Sequence, residues 1–348
     1  MLRPLIVLGA VGLLVVAVAA AYLLGVGPLA PPVAPRSVVF VAISRSADEA
    51  DAQEIEAIDL DAGTRELFDA GGRITAMALS VDRRSLYVGL DGGKIVLLDA
   101  TTGSQFGAVE LGGPTVVSLA PTADGRTLFA VAVTNIESVV VPIDLPTKKA
   151  ASPITFSSTT AGPAVVHGDL VIVPLGDPRA LQVAFIGVTS RAVTSRLPLP
   201  RGTLVPPAAF QIDGARTGIV AFDSGLTGGG VSMRVYALTD PLHWKDVALQ
   251  APFPQGLGRQ QIGIGLQAVA NADGTIHVCS TAGTGARRYV VSVDLKSTLA
   301  GTDCGPLAGG DQVLMAKRDP ATLLVLDGKN GKTLRALPLA GVPARLVH

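Results

Sequence analysis

Short apolar strands alternate with polar turns from residue 37 to the end of the chain, a pattern typical of β structure. A hydrophobic strand that ends in aspartate, with a turn after it, recurs as EIEAIDLDAG (54–63), KIVLLDATTG (94–103), VVVPIDLPTK (139–148), YVVSVDLKST (289–298) and LLVLDGKNG (323–331). Two further segments fit without the aspartate, LQVAFIGVTS (181–190) and VSMRVYALTD (231–240). The pattern therefore predicts seven repeats.

Each repeat also contains an earlier apolar strand, and these strands are SVVFVAI, SLYVGL, TLFAVAV, DLVIVPL, TGIVAF, TIHVCS and QVLMAK. Several of them follow a hairpin turn such as VDRRS (81–85) or ADGRT (123–127), where Asp and Gly favour a sharp reversal. The period is about 45 residues, which leaves room for four strands. Such a unit cannot bury its faces alone, so we expect an all-β, seven-bladed β-propeller of four-stranded antiparallel blades.

The two ends of the repeat array are offset from each other. The final GVPARLVH matches GGPTVVSL (112–119), the first strand of a unit, whereas the array opens with SVVFVAI, a second strand. The C-terminal strand therefore completes blade one and closes the ring over residues 37–348, which removes two exposed sheet edges.

The recurring aspartates are Asp59, Asp99, Asp144, Asp294 and Asp327. Their position after a strand predicts Asx-type turns, in which the carboxylate accepts backbone N–H bonds and Gly103 adopts a left-handed conformation. A calcium loop would need further oxygen ligands at fixed offsets, which DATTGSQFGAVE lacks. We expect a structural role and no metal site.

The N-terminus carries an uninterrupted apolar run, Leu5–Gly25, whose 21 residues are enough to cross a bilayer as a helix. Arg3 precedes the run, so residues 1–26 are expected to form a single-pass anchor with the propeller on the extracytoplasmic side of the cell membrane. Ala17-Val18-Ala19 also fits a signal-peptidase site, which leaves secretion after cleavage as the alternative. Residues 27–36 form a Pro-rich linker.

Beyond the linker, the order of ADGRTLFAV, a variable loop, VVPIDLPTKK and the triplets GGP (112–114), AGP (161–163) and GVP (341–343) resembles the YVTN-type seven-bladed propellers of bacterial exported proteins. The turn DATTG (99–103) also resembles the quinoprotein-like propeller family. That family's blades are docked by tryptophans, and this chain has only Trp244. We therefore expect no quinone or other cofactor.

Composition narrows the possible partners. Lys+Arg and Asp+Glu both number 28, and no run of basic residues with interleaved aromatics occurs, so nucleic-acid binding is not expected. The 40 glycines and 24 prolines agree with many tight turns between short strands.

Irregular loops after the second and fourth strands of each blade are the expected recognition surface. The arginines in or near them would form a cationic patch for an anionic ligand or a protein partner: Arg179, Arg201, Arg259, Arg287 and Arg288. An acidic lip would come from Asp48, Glu49, Asp51 and Glu54. The alternative is that these charges only solvate the loops.

Catalytic motifs are scarce. The four histidines, His167, His243, His277 and His348, lack metal-ligand spacing, and no G-x-S-x-G elbow occurs. Cys279 would pair with Cys304 in an exported protein, and the alternative is a reactive Cys279 beside His277. We expect a non-enzymatic binding or assembly module. The alternative is a lactonase-type propeller hydrolase with carboxylates and histidine near the central channel.

Overall fold

The computed structural model describes residues 33–46, 52–135, 137–157, 159–176, 181–199, 207–223, 230–237, 240–249, 265–282, 285–310 and 312–348. These ranges contain thirty β-strands and one 3-10 turn, Asp91–Gly93. Within them no helix is long and apolar enough to span a membrane. The apolar run Leu5–Gly25 lies outside the described residues.

The strands form seven separate antiparallel sheets, the blades. Blade one contains β1 (Val38–Ser44), β2 (Glu54–Asp59), β3 (Arg65–Asp69) and the last strand of the chain, β30 (Val342–Val347). Blade two contains β4 (Ile74–Leu79), β5 (Ser85–Leu90), β6 (Lys94–Asp99) and β7 (Gln105–Glu110). Blade three contains β8 (Thr115–Pro121), β9 (Thr127–Val133), β10 (Glu137–Asp144) and an outer edge divided into β11 (Lys149–Ala150) and β12 (Ile154–Ser157).

The remaining blades follow the same order from the inner to the outer strand. Blade four contains β13 (Thr160–Ala161) and β14 (Val165–His167) at its inner edge, then β15 (Leu170–Gly176), β16 (Gln182–Gly187) and β17 (Val193–Pro198). Blade five contains β18 (Ala208–Gln211), β19 (Arg216–Asp223), β20 (Gly230–Ala237) and β21 (Asp240–Ala248). Blade six contains β22 (Gly265–Ala270), β23 (Ile276–Ala282), β24 (Gly285–Val291) and β25 (Ser297–Gly301). Blade seven contains β26 (Leu307–Ala308), β27 (Val313–Lys317), β28 (Thr322–Leu326) and β29 (Thr333–Pro338). The all-β, seven-bladed architecture predicted from the repeats is confirmed.

The ring closes where the end of the chain pairs with its first described strand. β30 is antiparallel to β1, with Phe40 opposite Val347 and Ser44 opposite Val342. This is the pairing that the offset of the repeat predicts. It gives blade one an inner strand that its own N-terminal segment does not supply.

Charged side chains, one of them buried, reinforce the seam between blades seven and one. The carboxylate of Glu56, only 2% exposed, accepts hydrogen bonds from Arg65 at 2.9 Å and from the backbone N–H of Ala340 at 2.8 Å. Arg65 also donates to the carbonyl of Pro338, and Arg335 donates across the seam to Leu60. Because the repeat units at this seam come from opposite ends of the chain, these contacts add to the β1–β30 pairing in holding the ring shut.

Each pair of neighbouring blades packs a separate apolar cluster. For example, Phe40, Ile55 and Phe68 of blade one meet Leu86 and Val96 of blade two. This follows from the period of the strands, because alternate side chains point to opposite faces and each face meets the next blade. The cluster between blades six and seven differs from the others, since Cys279 is the only buried residue that blade six contributes to it in the described part of the chain.

The turns on one face of the ring explain the recurring aspartates. The carboxylate accepts backbone N–H bonds in four blades, and the pairs are Asp59 with Asp61 and Ala62, Asp99 with Thr101 and Thr102, Asp144 with Thr147, and Asp327 with Lys329 and Asn330. The fifth turn residue is left-handed, with φ of 70° at Gly63, 68° at Gly103, 56° at Lys148 and 69° at Gly331. The predicted Asx turns are therefore confirmed at these four positions.

Asp294 does not share that position. β24 ends at Val291, and the following turn is closed by the bond from Leu295 N–H to Ser292 O at 2.8 Å. Asp294 accepts a hydrogen bond from the Ser292 hydroxyl, and Leu295 is the left-handed residue, with φ of 65°. The sequence alignment of Asp294 with the other turn aspartates is wrong because this turn is one residue tighter.

Candidate functional site

The ring has two unlike faces. The short-turn face consists of the turns between first and second strands and between third and fourth strands, such as Ser80–Arg84 and Ala100–Ser104 in blade two. The long-loop face consists of the other connections, such as Asp91–Gly93 and Leu111–Pro114 in the same blade. The two longest internal undescribed ranges, 200–206 and 250–264, connect strand ends at the long-loop face.

Carboxylates on the short-turn face serve the turns themselves. Hydrogen bonds to the ionised form hold the pKa of Asp59 below its usual value, chiefly the backbone N–H of Ala62, and do the same for Asp144 through the Thr147 hydroxyl. In the preceding turns, Asp124 accepts from Thr122 and from the backbone N–H of Arg126. These aspartates bind backbone donors and are not arranged as a ligand set.

Of the five arginines predicted to form a cationic patch, three, Arg179, Arg201 and Arg259, lie outside the described residues. Arg287 lies half-buried on β24. Arg288 is only 4% exposed, and its guanidinium donates to the carbonyl of Gly331 in blade seven and pairs with Asp303 at 3.2 Å.

The placement of Arg288 on the loop surface is therefore wrong. Neighbouring residues of a strand point to opposite faces of the sheet, so Arg287 and Arg288 cannot join one patch. Arg288 points into the interface with blade seven, where it joins the two blades.

Two ion pairs lie on the described part of the long-loop face. Arg73 pairs with Asp91 at 2.7 Å, and Arg45 pairs with Glu54, which raises the pKa of Arg45. Glu54 is the member of the predicted acidic lip that the structure describes, while Asp48, Glu49 and Asp51 lie outside it. Both pairs are partly exposed, so they hold the loops in position but contribute little to the free energy of folding.

The inner strands that surround the central channel are β30, β4, β8, β13, β14, β18, β22 and β26, and none of these described strands contains Asp or Glu. Arg345 on β30 donates to the carbonyl of Thr75 at 3.1 Å and so links blade one to blade two. His167 on β14 is 3% exposed and forms a 2.6 Å hydrogen bond with Thr217 of blade five. Both side chains therefore connect blades.

The other histidines also have structural positions. His277 is fully buried and hydrogen bonds to the carbonyl of Gly328 in blade seven at 2.7 Å, and burial lowers its pKa. His348 hydrogen bonds to the carbonyl of Arg36. His243 lies on β21, with its side chain outside the described part. No group of three potential metal ligands occurs among the residues described.

Cys279 and Cys304 form a disulfide with a Cα–Cα separation of 5.6 Å, within the range for such a bond. Cys304 lies in the irregular segment 302–306 after β25, which folds back over β23. Cys279 is buried between blades six and seven, and Cys304 is partly buried beside it. Because Cys279 Sγ is bonded to Cys304, it is not paired with His277 as a nucleophile.

The segment that leads into the propeller is bound to the short-turn face. Arg83 Nη2 donates to the carbonyls of Val38 at 2.7 Å and Pro35 at 3.0 Å, and the buried Ala34 donates its N–H to Arg83 O at 3.1 Å. A groove of about 160 Å³ beside Ala34 and Pro35 runs between β3 and the turn at Ala100. It is smaller than typical small-molecule sites, which begin at about 300 Å³.

The signal for this contact was present in the sequence. The turns SVDRRS (80–85) and TADGRT (122–127) align so that Arg83 replaces Gly125. Both residues are left-handed, with φ of 58° and 67°. An arginine at a position that favours glycine indicates a contact that offsets the backbone strain.

The comparisons with known proteins identify a fold and no family. No protein-family model matches the chain, and no curated protein matches it. Among solved structures, a functionally unknown protein from Desulfotomaculum acetoxidans aligns with a TM-score of 0.64 and 13% identity, covering 89% of this chain and 97% of that one. Hydrazine synthase from Kuenenia stuttgartiensis aligns with a TM-score of 0.61 and 12% identity, covering 79% and 89%.

A third similar structure is that of the RRP9 WD40 repeats, with a TM-score of 0.57, 13% identity and coverage of 79% of this chain and 83% of that one. At these identities the likeness shows the fold alone, a seven-bladed β-propeller. Membership of the YVTN-type or quinoprotein-like family stays a prediction.

Proposed function

We propose that the protein is an extracytoplasmic, membrane-tethered β-propeller that acts as a non-enzymatic binding or assembly module through its long-loop face. The observation that carries the proposal is the contrast between the two faces. On the short-turn face, aspartates such as Asp59 and Asp99 are bound by their own turns. The irregular connections, which are free to vary on a rigid ring, join strand ends at the long-loop face.

The non-enzymatic reading is supported by the inner strands. The lactonase-type alternative requires carboxylates and a histidine near the central channel, and the described inner strands carry no carboxylate. His167 is buried against Thr217 and does not line an open site. A WD40-like scaffold is compatible with a binding role.

The partner we favour is a protein. A small anionic ligand would need several converging arginines, and Arg288 is buried in an ion pair. Of the predicted patch, Arg287 is the one other member within the described residues. The paired charges Arg73 and Asp91 offer both signs to a protein surface. Nucleic acid is not an expected partner, because the chain has no excess of basic residues.

The location we propose is the cell membrane, with one pass through the bilayer at Leu5–Gly25. The support comes from the length of this apolar run and from Arg3 before it. The alternative is secretion after cleavage behind Ala19. No quinone, metal or other cofactor is part of the proposal.

Site-specific photo-cross-linking tests which face binds. A photoreactive residue at Glu110 or Asn135 samples the long-loop face, and one at Asp61 or Lys329 samples the short-turn face as a matched control. In native membranes we expect a protein adduct of one mass from both long-loop positions and not from the controls. The proposal is wrong if the long-loop positions give no adduct or if all four positions give the same one.

A further inference from the structure

Large exposed apolar side chains are concentrated on one side of the ring. On the outer strands of four consecutive blades, six, seven, one and two, they are Leu299 (49% exposed), Leu334 (67%), Leu67 (50%) and Phe106 (46%). Val293 in a turn of blade six, Val81 in a turn of blade two and Val33 in the linker are also exposed. On β11, β12 and β17, the described outer strands of blades three and four, no large apolar side chain is exposed.

These seven side chains, here called the apolar edge, lie at or near the short-turn face. Leu334 and Phe106 are the second residues of β29 and β7, and Leu67 and Leu299 are the third residues of β3 and β25. Each of these strands begins at the short-turn face, so the side chains lie within about 10 Å of it at 3.3 Å per residue. Single exposed apolar residues need no explanation, but a grouping along one edge marks a contact surface.

The chain enters the propeller at this same edge. Arg83 holds the segment from Ala34 to Val38 against the turns of blades one and two, and Val33 is the first described residue. The apolar run ends at Gly25, so only seven residues, 26–32, separate the two. Seven residues span at most about 25 Å. A chain anchored through Leu5–Gly25 therefore keeps the apolar edge close to the bilayer.

Basic side chains accompany the apolar ones. Lys148 Nζ lies 5.6 Å from the ring centre of Phe106 and donates to its carbonyl. Lys329 and Lys332 lie in the turn before Leu334. Glu66 beside Leu67 has the opposite sign, so the apolar side chains carry the contact and the lysines contribute at its rim.

We propose that the apolar edge rests on the lipid headgroup region of the membrane that holds the N-terminal segment. The propeller is thereby tilted, with blades six, seven, one and two toward the bilayer and the long-loop face directed away from it. This inference rests on the proposed membrane tether. It adds an orientation that leaves the long-loop face accessible to a partner.

Single spin labels on the full-length chain test the orientation. Both native cysteines are in the disulfide, so a cysteine introduced at Leu334 or Phe106 is labelled selectively. Glu110→Cys is the matched control for Phe106→Cys, because it lies on the same strand about 13 Å nearer the long-loop face. Ser195→Cys on β17 samples the far side of the ring.

The labelled chains are reconstituted in vesicles of phosphatidylcholine and phosphatidylglycerol, and collisions with oxygen are compared with collisions with a water-soluble nickel chelate. We expect labels at positions 334 and 106 to be protected from the chelate at least threefold relative to labels at 110 and 195. Equal chelate accessibility at all four positions in an anchored chain overturns the orientation and leaves the tether intact.

Protection at position 334 that is accompanied by spin–spin broadening, and that disappears on dilution with unlabelled chain, identifies a second copy as the occupant and also overturns the proposal. If the mature chain lacks residues 1–19 and does not associate with the vesicles, the tether and the orientation are both overturned.

Discussion

Arg83→Gly is the substitution that most directly tests how the linker is held. The guanidinium makes two good hydrogen bonds, to the carbonyls of Val38 and Pro35 at 2.7 and 3.0 Å, and a weaker one to Ala34 at 3.4 Å. At about 1.5 kcal/mol for each good bond to a charged donor, their loss costs about 3 kcal/mol. Glycine accepts the left-handed φ of 58° more easily than arginine does, which returns about 1 kcal/mol.

The net effect is a loss of about 2 kcal/mol from the docking of residues 34–38, or about 30-fold in the local opening equilibrium. Hydrogen exchange measured by mass spectrometry should show the amides of Ala34 and Val38 exchanging about 30-fold faster, with the blade strands unchanged. Gly125→Arg is the matched control, since it places arginine in the equivalent left-handed turn of blade three. It should lower global stability slightly and leave the linker amides unaffected. Unchanged exchange at Ala34 in Arg83→Gly would refute the assignment of these bonds.

Three further predictions concern the ring itself. Deleting Val342–His348 removes β30 and leaves the inner edge of β1 unpaired, so we expect a lower melting temperature and aggregation; an unchanged melting temperature contradicts closure through this strand. Denatured, unreduced protein should show no free thiols, and two titratable thiols would disprove the bridge. The double variant Cys279→Ala, Cys304→Ala should lose about 3 kcal/mol of unfolding free energy, because the bridge closes a loop of 25 residues. Burial lowers the pKa of His277 in the folded state, so the unfolded chain binds the proton first and stability should fall as the pH drops below about 6.5. In denaturant titrations, His277→Gln should reduce the decrease in unfolding free energy between pH 6.5 and 5. An unchanged pH dependence in this variant argues against His277 as its cause.

Much of the fold follows from local sequence signals. The alternation of apolar and polar residues, with an aspartate after the third strand, defines the blades, because turn chemistry depends on residues that are adjacent in sequence. The offset between GVPARLVH and SVVFVAI indicates the β1–β30 pairing, because the repeat register identifies the first segment as an inner strand and the second as the strand beside it. Asp294 was misaligned because its turn is one residue tighter, a difference that the aspartate alone does not reveal.

The candidate site was less predictable, since it depends on which face a side chain meets after the blades pack. Arg288 and Gly331 are far apart in sequence, and only the stacking of blade six on blade seven brings them together. The adjacency of Arg287 and Arg288 did carry a usable signal, because a strand directs them to opposite faces. The role of Glu56 could not be predicted from neighbouring residues either, because its contact with the N–H of Ala340 joins opposite ends of the chain.

The topology of the chain is the most direct test of the account, because both proposals depend on an exported propeller held by Leu5–Gly25. Protease is added to spheroplasts that produce the full-length chain, and the intact mass of the purified protein is measured in parallel. The account predicts digestion of the propeller from outside and a mature mass that retains residues 1–25. Protection of the propeller from external protease contradicts export, and a mature N-terminus at Ala20 contradicts the tether.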